Sequence, residues 1–368
     1  MKINVTRSSM PSFEEYCEEI KDIWETRWLT NHGKKVLALE DQLKKFLGAK
    51  NLVLYTNGHL ALEAAISSFN FPKGSEIITT PFTFVSTTNA IIRCGMEPVF
   101  CDINKEDCTI DVNKIEELIT EKTVAILAVH VYGRICDVEK IDELAKKHNL
   151  KVIYDAAHAF GVKYKNKGIA NYGDISMFSF HATKVFHTIE GGCLCFNDSA
   201  LKQPLESQKD FGITGEETCD YIGPNAKMNE FQAAMGICNL KHIDEYIAKR
   251  KLIVDEYNKH LTKVKDIFIP GKQENVISNY AYYPVFISTN SKNRDYLKKV
   301  LEINGIFARK YFYPITNEFS QIKGKYKGNT PVSLEQSEKV LTLPLYTDLS
   351  LEDVNRICDV ILDAKWKK

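Results

Sequence analysis

From residue 50 onward the chain alternates short, almost purely apolar runs with amphipathic stretches, and this alternation restricts the fold more than any other feature. LVLY (52–55) precedes HLALEAAISSF, and EIITT (76–80) precedes a helix-like stretch ending at Arg93. PVFCD (98–102) is followed by the amphipathic DVNKIEELI. TVAILAVHVY (123–132) leads into VEKIDELAKK, where Val138, Ile141, Leu144 and Ala145 recur at helical spacing. KVIYD (151–155), DISMFSF (174–180) and GCLCF (192–196) complete the series. Strands apolar on both faces and separated by helices predict an α/β fold, a mostly parallel sheet covered on both sides. Ligands of such sheets bind beyond the carboxyl ends of the strands.

The rhythm changes near residue 228, where MNEFQAAMGICNLKHIDEYIAKRKLIVDEYNKHL reads as one long helical region. Beyond it come a strand-like YYPVFIS (282–288), a helix NRDYLKKVLEI, the segment GIFARKYFYP and a last helix around LEDVNRICDVIL. The chain's 368 residues exceed the roughly 250–300 at which single cores stop growing. The expectation is therefore a large α/β domain over 1–245, with an N-terminal helical segment, and a small α+β domain over 246–368. The first 50 residues carry amphipathic segments, EEYCEEIKDIWE and VLALEDQLKKFLG, and no strand is expected among them.

Charge excludes some functions. Forty-eight basic residues balance 48 acidic ones, so a broadly basic nucleic-acid binder is not expected. The longest apolar stretch, VAILAVHVY, is far too short to span a bilayer, and MKINVTRSSM lacks the apolar core of a secretion signal. A cytoplasmic protein with no membrane partner follows as the expectation. The ten cysteines are dispersed without a CxxC pair and read as reduced, mostly buried thiols. Cys193 and Cys195 alternate as on one face of a strand. His158, His181 and His187 lack a ligand spacing, so no metal site is expected. GxGxxG after the first strand, GxxxxGK[ST] and GxSxG are all absent.

Four segments carry candidate chemistry. Asp155 in YDAAHAFG stands at the end of a buried strand, where it either caps AAHAF or pairs with a buried cation. Lys184, in FSFHATKVFHTIEGG, sits among hydroxyl, imidazole and aromatic neighbours rather than in a charged surface run. Lysine does Schiff-base chemistry when its amine is partly desolvated. In YTNGHLALEAA, Thr56, Asn57 and Gly58 precede a helix and offer free N–H groups to a phosphate, or simply cap the helix. In TPFTFVSTTNAI, Phe82 and Phe84 are either core or a platform for a flat ring.

Taken in order, the TNG turn, PFTF, DAAH and SFHATK followed by EGG resemble the DegT/DnrJ/EryC1/StrS family of sugar aminotransferases. The resemblance runs from WETRWLTNHGKKVLALED (24–41) to GIFARKYFYP (305–314). It implies a fold-type-I enzyme using pyridoxal 5′-phosphate, with a mostly parallel sheet. Lys184 is similar to the lysine that binds the cofactor covalently, and Asp155 to the partner of its ring nitrogen. His158 is expected against the ring near its phenolic oxygen, and Phe84 on the ring face. Ser179, with the N–H groups of Gly58 and His59, is expected to hold the phosphate. A second subunit completes the site in this family, and Asn225 in GPNAKMNEFQAA resembles its contribution. A homodimer is thus implied.

The resemblance further implies transfer of an amino group from L-glutamate to the ketone of a nucleotide-linked keto-deoxysugar. The first sixty residues look most like enzymes that aminate C4 of dTDP-4-keto-6-deoxyglucose. His187, Arg309, Tyr311 and Tyr313 match sugar-facing positions, and the sequence equally allows them to be surface or small-domain core. Two positions depart from the family pattern: His59 stands where a small hydroxyl residue is usual, and Pro224 replaces a usual Tyr before Asn225. Relatives that dehydrate a deoxysugar carry His in place of the lysine, so Lys184 favours transamination over elimination. A cofactor-binding regulatory protein on the same fold is the non-enzymatic alternative. The nucleotide and the aminated carbon, C3 or C4, stay open at this level.

Overall fold

The structure, a computed structural model, describes residues 2–288 and 291–364. Its centre is a seven-stranded sheet built from β1 (Asn51–Tyr55), β2 (Glu76–Thr79), β3 (Glu97–Phe100), β4 (Thr123–Val129), β5 (Lys151–Asp155), β6 (Ile175–Ser179) and β7 (Gly192–Phe196). The spatial order is β1-β7-β6-β5-β4-β2-β3. All neighbouring pairs are parallel except those of β7, which runs antiparallel to both β1 and β6. The expected mostly parallel sheet is present, and every apolar run named above from LVLY to GCLCF supplies one of its strands.

Alternation along each strand divides the core in two. Leu52, Leu54, Ile126, Val152, Tyr154 and Phe178 face one layer, packed on α2 (Lys34–Leu47) and on the helices α5 and α7 described below. Val53, Tyr55, Ala125, Leu127, Ile153 and Met177 face the other, packed on α3 (Gly58–Ser67) and α4 (Val85–Arg93). Cys193 and Cys195 share the first face with their sulfurs 4.0 Å apart, and all ten cysteines are free thiols. α1 (Phe13–Thr26) lies outside, starting at Ser12, whose hydroxyl caps Glu15 N–H. α5 (Val138–His148) is bounded by Asp137, which caps Lys140 N–H, and by Asn149 in the left-handed region. α6 (Lys202–Gln208) and α7 (Glu230–Lys241) follow the last sheet strand.

The small domain centres on an antiparallel sheet of β8 (Ile267–Phe268), β9 (Tyr283–Ile287) and β10 (Val340–Leu343), in that order. α8 (Ile243–Leu261), α9 (Ser291–Ile303) and α11 (Leu351–Asp363) cover it, with α10 (Pro331–Lys339) leading into β10. Ile243 packs in the large core, whereas Ile253, Tyr257 and Leu261 pack in the small one. We therefore propose that the division falls within the first turns of α8.

Three expectations need correction. The long helical region after residue 228 is two helices, broken at His242, whose backbone (φ −104°, ψ 1°) leaves the α region. DVNKIEELI forms two 3-10 turns, Val112–Lys114 and Glu116–Leu118, not an α-helix. The first 50 residues do contain a strand: Ile3–Asn4 pairs in parallel with Ile306–Phe307, and Leu345 N–H donates to Val5 C=O at 3.1 Å. Two residues are too few for period-2 alternation to show. This strand ties residues 3–5 to the small domain. Among the described residues no helix is long and apolar enough to cross a membrane.

Candidate active site

β5 and β6 end side by side, and they deliver the two residues on which the sequence reading turns. Asp155 is the last residue of β5 and is buried. Its Oδ2 accepts from Thr87 Oγ1 at 2.7 Å, and its Oδ1 from Ala157 N–H at 3.1 Å. Burial pushes the carboxyl up; the Thr87 and Ala157 bonds and the nearby charge of Lys184 pull the other way without cancelling it. Such a carboxylate calls for a cation, and a protonated ring nitrogen supplies one. Asp155 is thus both a weak local cap, through Ala157, and a residue with unmet electrostatic demand.

Lys184 follows β6 in a turn closed by its own N–H to His181 C=O at 2.9 Å. Its Nζ donates to Tyr282 Oη at 3.3 Å and lies 5.8 Å from that ring's centre. Tyr282 immediately precedes β9, so the small domain supplies a wall of the site. The wall is aromatic: Tyr282 is 4.7 Å from His158, and Phe312 stacks parallel to His158 at 6.0 Å. Tyr132 stands 6.0 Å from Tyr282, and its hydroxyl donates to Tyr311 C=O. Burial, and then the charge of Lys184, hold the His158 imidazole well below its usual pKa. Tyr132 N–H donates to its Nδ1 at 3.0 Å, so the neutral ring carries its proton on Nε2.

The third group lies at the start of α3. Asn57 caps the helix through Leu60 N–H at 2.9 Å, leaving the N–H groups of Gly58 and His59 without an intrahelical acceptor. The backbone is crowded here. A Cβ on Gly58 would stand 2.9 Å from Ser179 Cβ, and one on Gly192 would stand 2.8 Å from Gly58 N and Cα. Glycine at both positions lets β6, β7 and the helix start converge, with Ser179 packed against Gly58. Phe84, the N-cap residue of α4, leaves 60% of its surface open, which suits a platform rather than core. Phe82 is fully buried, so the other reading of that pair holds for it.

These features fit pyridoxal phosphate: a helix start crowded against a serine for the phosphate, an exposed aromatic for the ring, a buried carboxylate for the ring nitrogen and an amine beside them. Sequence reasoning missed Thr87, Tyr132, Tyr282 and Phe312. Thr87 lay inside the quoted TPFTFVSTTNAI and Tyr282 inside YYPVFIS, but no spacing rule marked either.

The expected substrate residues fare differently. His187 is buried; its Nε2 reaches Ser9 C=O at 2.5 Å and its Nδ1 accepts from Ile189 N–H at 3.1 Å. With both ring nitrogens used inside the protein, the His187 side chain pins the N-terminal segment at Ser9. Tyr311 belongs to the aromatic wall, 6.1 Å from Tyr282, and Arg309 lies over it at 5.7 Å. Tyr313 is farther along, packed under Arg294 at 4.8 Å. Asn225 is exposed in its own chain, bridged to Asp210. Among the described residues no cluster of three or more His, Cys, Asp or Glu could hold a metal ion.

A lysine and a buried aspartate at the carboxyl ends of adjacent strands of this sheet are what a pyridoxal-phosphate enzyme of the aminotransferase type would need. The pattern characteristic of the DegT/DnrJ/EryC1/StrS aminotransferase family matches residues 12–362, and the chain belongs to that family. A dTDP-4-amino-4,6-dideoxy-D-glucose transaminase of Shigella dysenteriae is 38% identical over 365 residues, 99% of each chain. A protein of the same name from Escherichia coli is 39% identical over 367 residues, 98% of each chain. Among solved structures, Helicobacter pylori PseC, an aminotransferase involved in the biosynthesis of pseudoaminic acid, superposes with a TM-score of 0.93. It is 28% identical, with 98% of both chains covered. The chain is accordingly a pyridoxal-phosphate-dependent sugar aminotransferase acting on a nucleotide sugar.

Proposed function

We propose that this chain moves an amino group from L-glutamate to C4 of dTDP-4-keto-6-deoxyglucose, in the cytoplasm, for the synthesis of glycan sugars. The reaction class follows from the family; the sugar and its carbon are supported by the two relatives of 38% and 39% identity. The single observation that carries the site is Lys184 Nζ held at 3.3 Å from Tyr282, beside the buried carboxyl of Asp155.

Pyridoxal phosphate, when bound, supplies an electron sink for the carbanion left by proton removal. The chain's own residues do the rest. Lys184 Nζ takes the proton from Cα of the amino donor, and in the second half returns one to C4 of the sugar. With the cofactor bound, Asp155 would keep a positive charge on the ring nitrogen. His158, held neutral, would offer Nε2–H to the ring's oxygen. Gly58, His59 and Ser179 would hold the phosphate, and Phe84 would cover one face. Tyr311 and Arg309 stand next to the aromatic wall, and in this reading they meet the sugar.

A second copy completes the site in this reading. Ile222, 97% exposed, with Phe211 and Ile213 and with Trp24, Trp28 and Leu29, presents apolar surface that a monomer would leave wet. Asn225 lies on the same segment as Ile222, three residues away.

The test is a mass-spectrometric screen of keto-sugar nucleotides with L-glutamate as donor. The expected result is a 4-amino product from the dTDP-linked 4-keto-6-deoxyhexose with one 2-oxoglutarate per turnover. Preference for a 3-keto sugar or for a UDP- or GDP-linked substrate would refute the substrate assignment, and a dehydrated product without 2-oxoglutarate would refute transamination.

A further inference from the structure

His59 is the second residue of α3, where the family pattern has a small hydroxyl, and both of its ring nitrogens are engaged. Nδ1 lies 2.8 Å from Ser86 Oγ and Nε2 lies 2.9 Å from Glu63 Oε1. Ser86 stands in the first turn of α4, two residues after Phe84. Glu63 is one turn further along α3 and is also bound by Arg93, from the last turn of α4. The imidazole therefore ties together the starts of two helices. One offers the free N–H groups of Gly58 and His59; the other carries Phe84.

With neither nitrogen free, the side chain acts on an anion through Ser86. In the neutral ring, Nε2–H donates to the Glu63 carboxylate and Nδ1 accepts the Ser86 O–H. In the protonated ring, Nδ1–H donates to Ser86 Oγ, and the hydroxyl proton is free to point elsewhere. Two charged groups face the ring, Glu63 from its own helix and Arg93 from α4. Burial alone would raise the Glu63 carboxyl, but its bonds to His59 and Arg93 hold it lowered, so it faces the ring as a carboxylate. A phosphate dianion at the start of α3 would favour the imidazolium.

We propose that His59 is a proton-linked positioning residue for the cofactor's phosphate. Binding of the phosphate takes up a proton on His59, and that proton turns the Ser86 hydroxyl toward the ligand. The inference rests on the reading that Gly58, His59 N–H and Ser179 hold the phosphate.

The test uses the full-length chain freed of cofactor and 4′-deoxypyridoxine 5′-phosphate, which carries ring and phosphate but no aldehyde to react with Lys184. Affinity and proton uptake are measured by calorimetry between pH 6 and pH 8.5, in buffers of different ionisation heat. The probe's own phosphate titrates identically with every variant, so differences belong to the protein. Wild-type affinity should fall as pH rises across this range, by up to about tenfold per pH unit beyond the shared slope. His59→Gln should bind with that extra slope removed. Ser86→Ala keeps the histidine and should lose about 3- to 10-fold in affinity at pH 6, with little loss at pH 8.5. Equal slopes in wild type and His59→Gln, with tight binding in both, would overturn this proposal alone. Failure of the probe to bind wild type in competition with pyridoxal phosphate would overturn the phosphate site beneath it as well.

Discussion

Lys184→Ala should lose about 10⁴-fold or more in kcat with its fold intact. One proton-transferring group contributes up to about 10⁴-fold, and the same substitution also removes the nucleophile that holds the cofactor covalently. The fold should survive because Lys184 is only partly buried and, among the described residues, its side chain makes a single hydrogen bond, to Tyr282. Thermal unfolding of cofactor-free protein should therefore change little. The two readouts must separate: an inactive protein that also unfolds early would mean a structural lysine. An active Lys184→Ala protein would remove the residue from the mechanism.

Asp155→Asn should have the second-largest effect, and its signature differs. Breaking a buried charge pair costs about 3–5 kcal/mol, which at the transition state corresponds to about 150- to 5,000-fold in rate. The asparagine still accepts from Ala157 N–H, and the Thr87 hydroxyl can turn to accept from its amide. The opposite sign is expected for cofactor-free protein. Asp155 has its pKa raised in the folded state, so the stability it contributes is present at low pH and is lost as pH rises through that value. At neutral pH the cofactor-free asparagine variant should therefore be at least as stable as wild type. Loss of activity together with loss of cofactor-free stability would instead assign Asp155 to the cap alone.

What the sequence made legible is what periodicity and local chemistry write into short windows. The strands of the central sheet are buried on both faces, so each appears as a continuous apolar run; the helices between them carry caps such as Asn57 and Asp137. Asp155 and Lys184 were visible because strand ends are where such sheets hold ligands, and because the motifs around them recur in one family. The rest depended on contacts between distant segments. Tyr282 meets Lys184 across 98 positions of chain, and Thr87 meets Asp155 across 68. The same distance hid the partner of His187. Its motif lies next to Lys184, yet its ring is claimed by Ser9, 178 positions earlier. The break at His242 was equally hidden, since no proline or glycine marks it.

The central claim is that one amine, Lys184, carries the cofactor. Purified protein supplied with pyridoxal phosphate, reduced with borohydride and digested, can be mapped by mass spectrometry. The expected result is the reduced cofactor's mass on the peptide containing Lys184, and its disappearance when L-glutamate is added before the borohydride. A modified lysine elsewhere, or bound cofactor with no adduct on Lys184, would contradict the account.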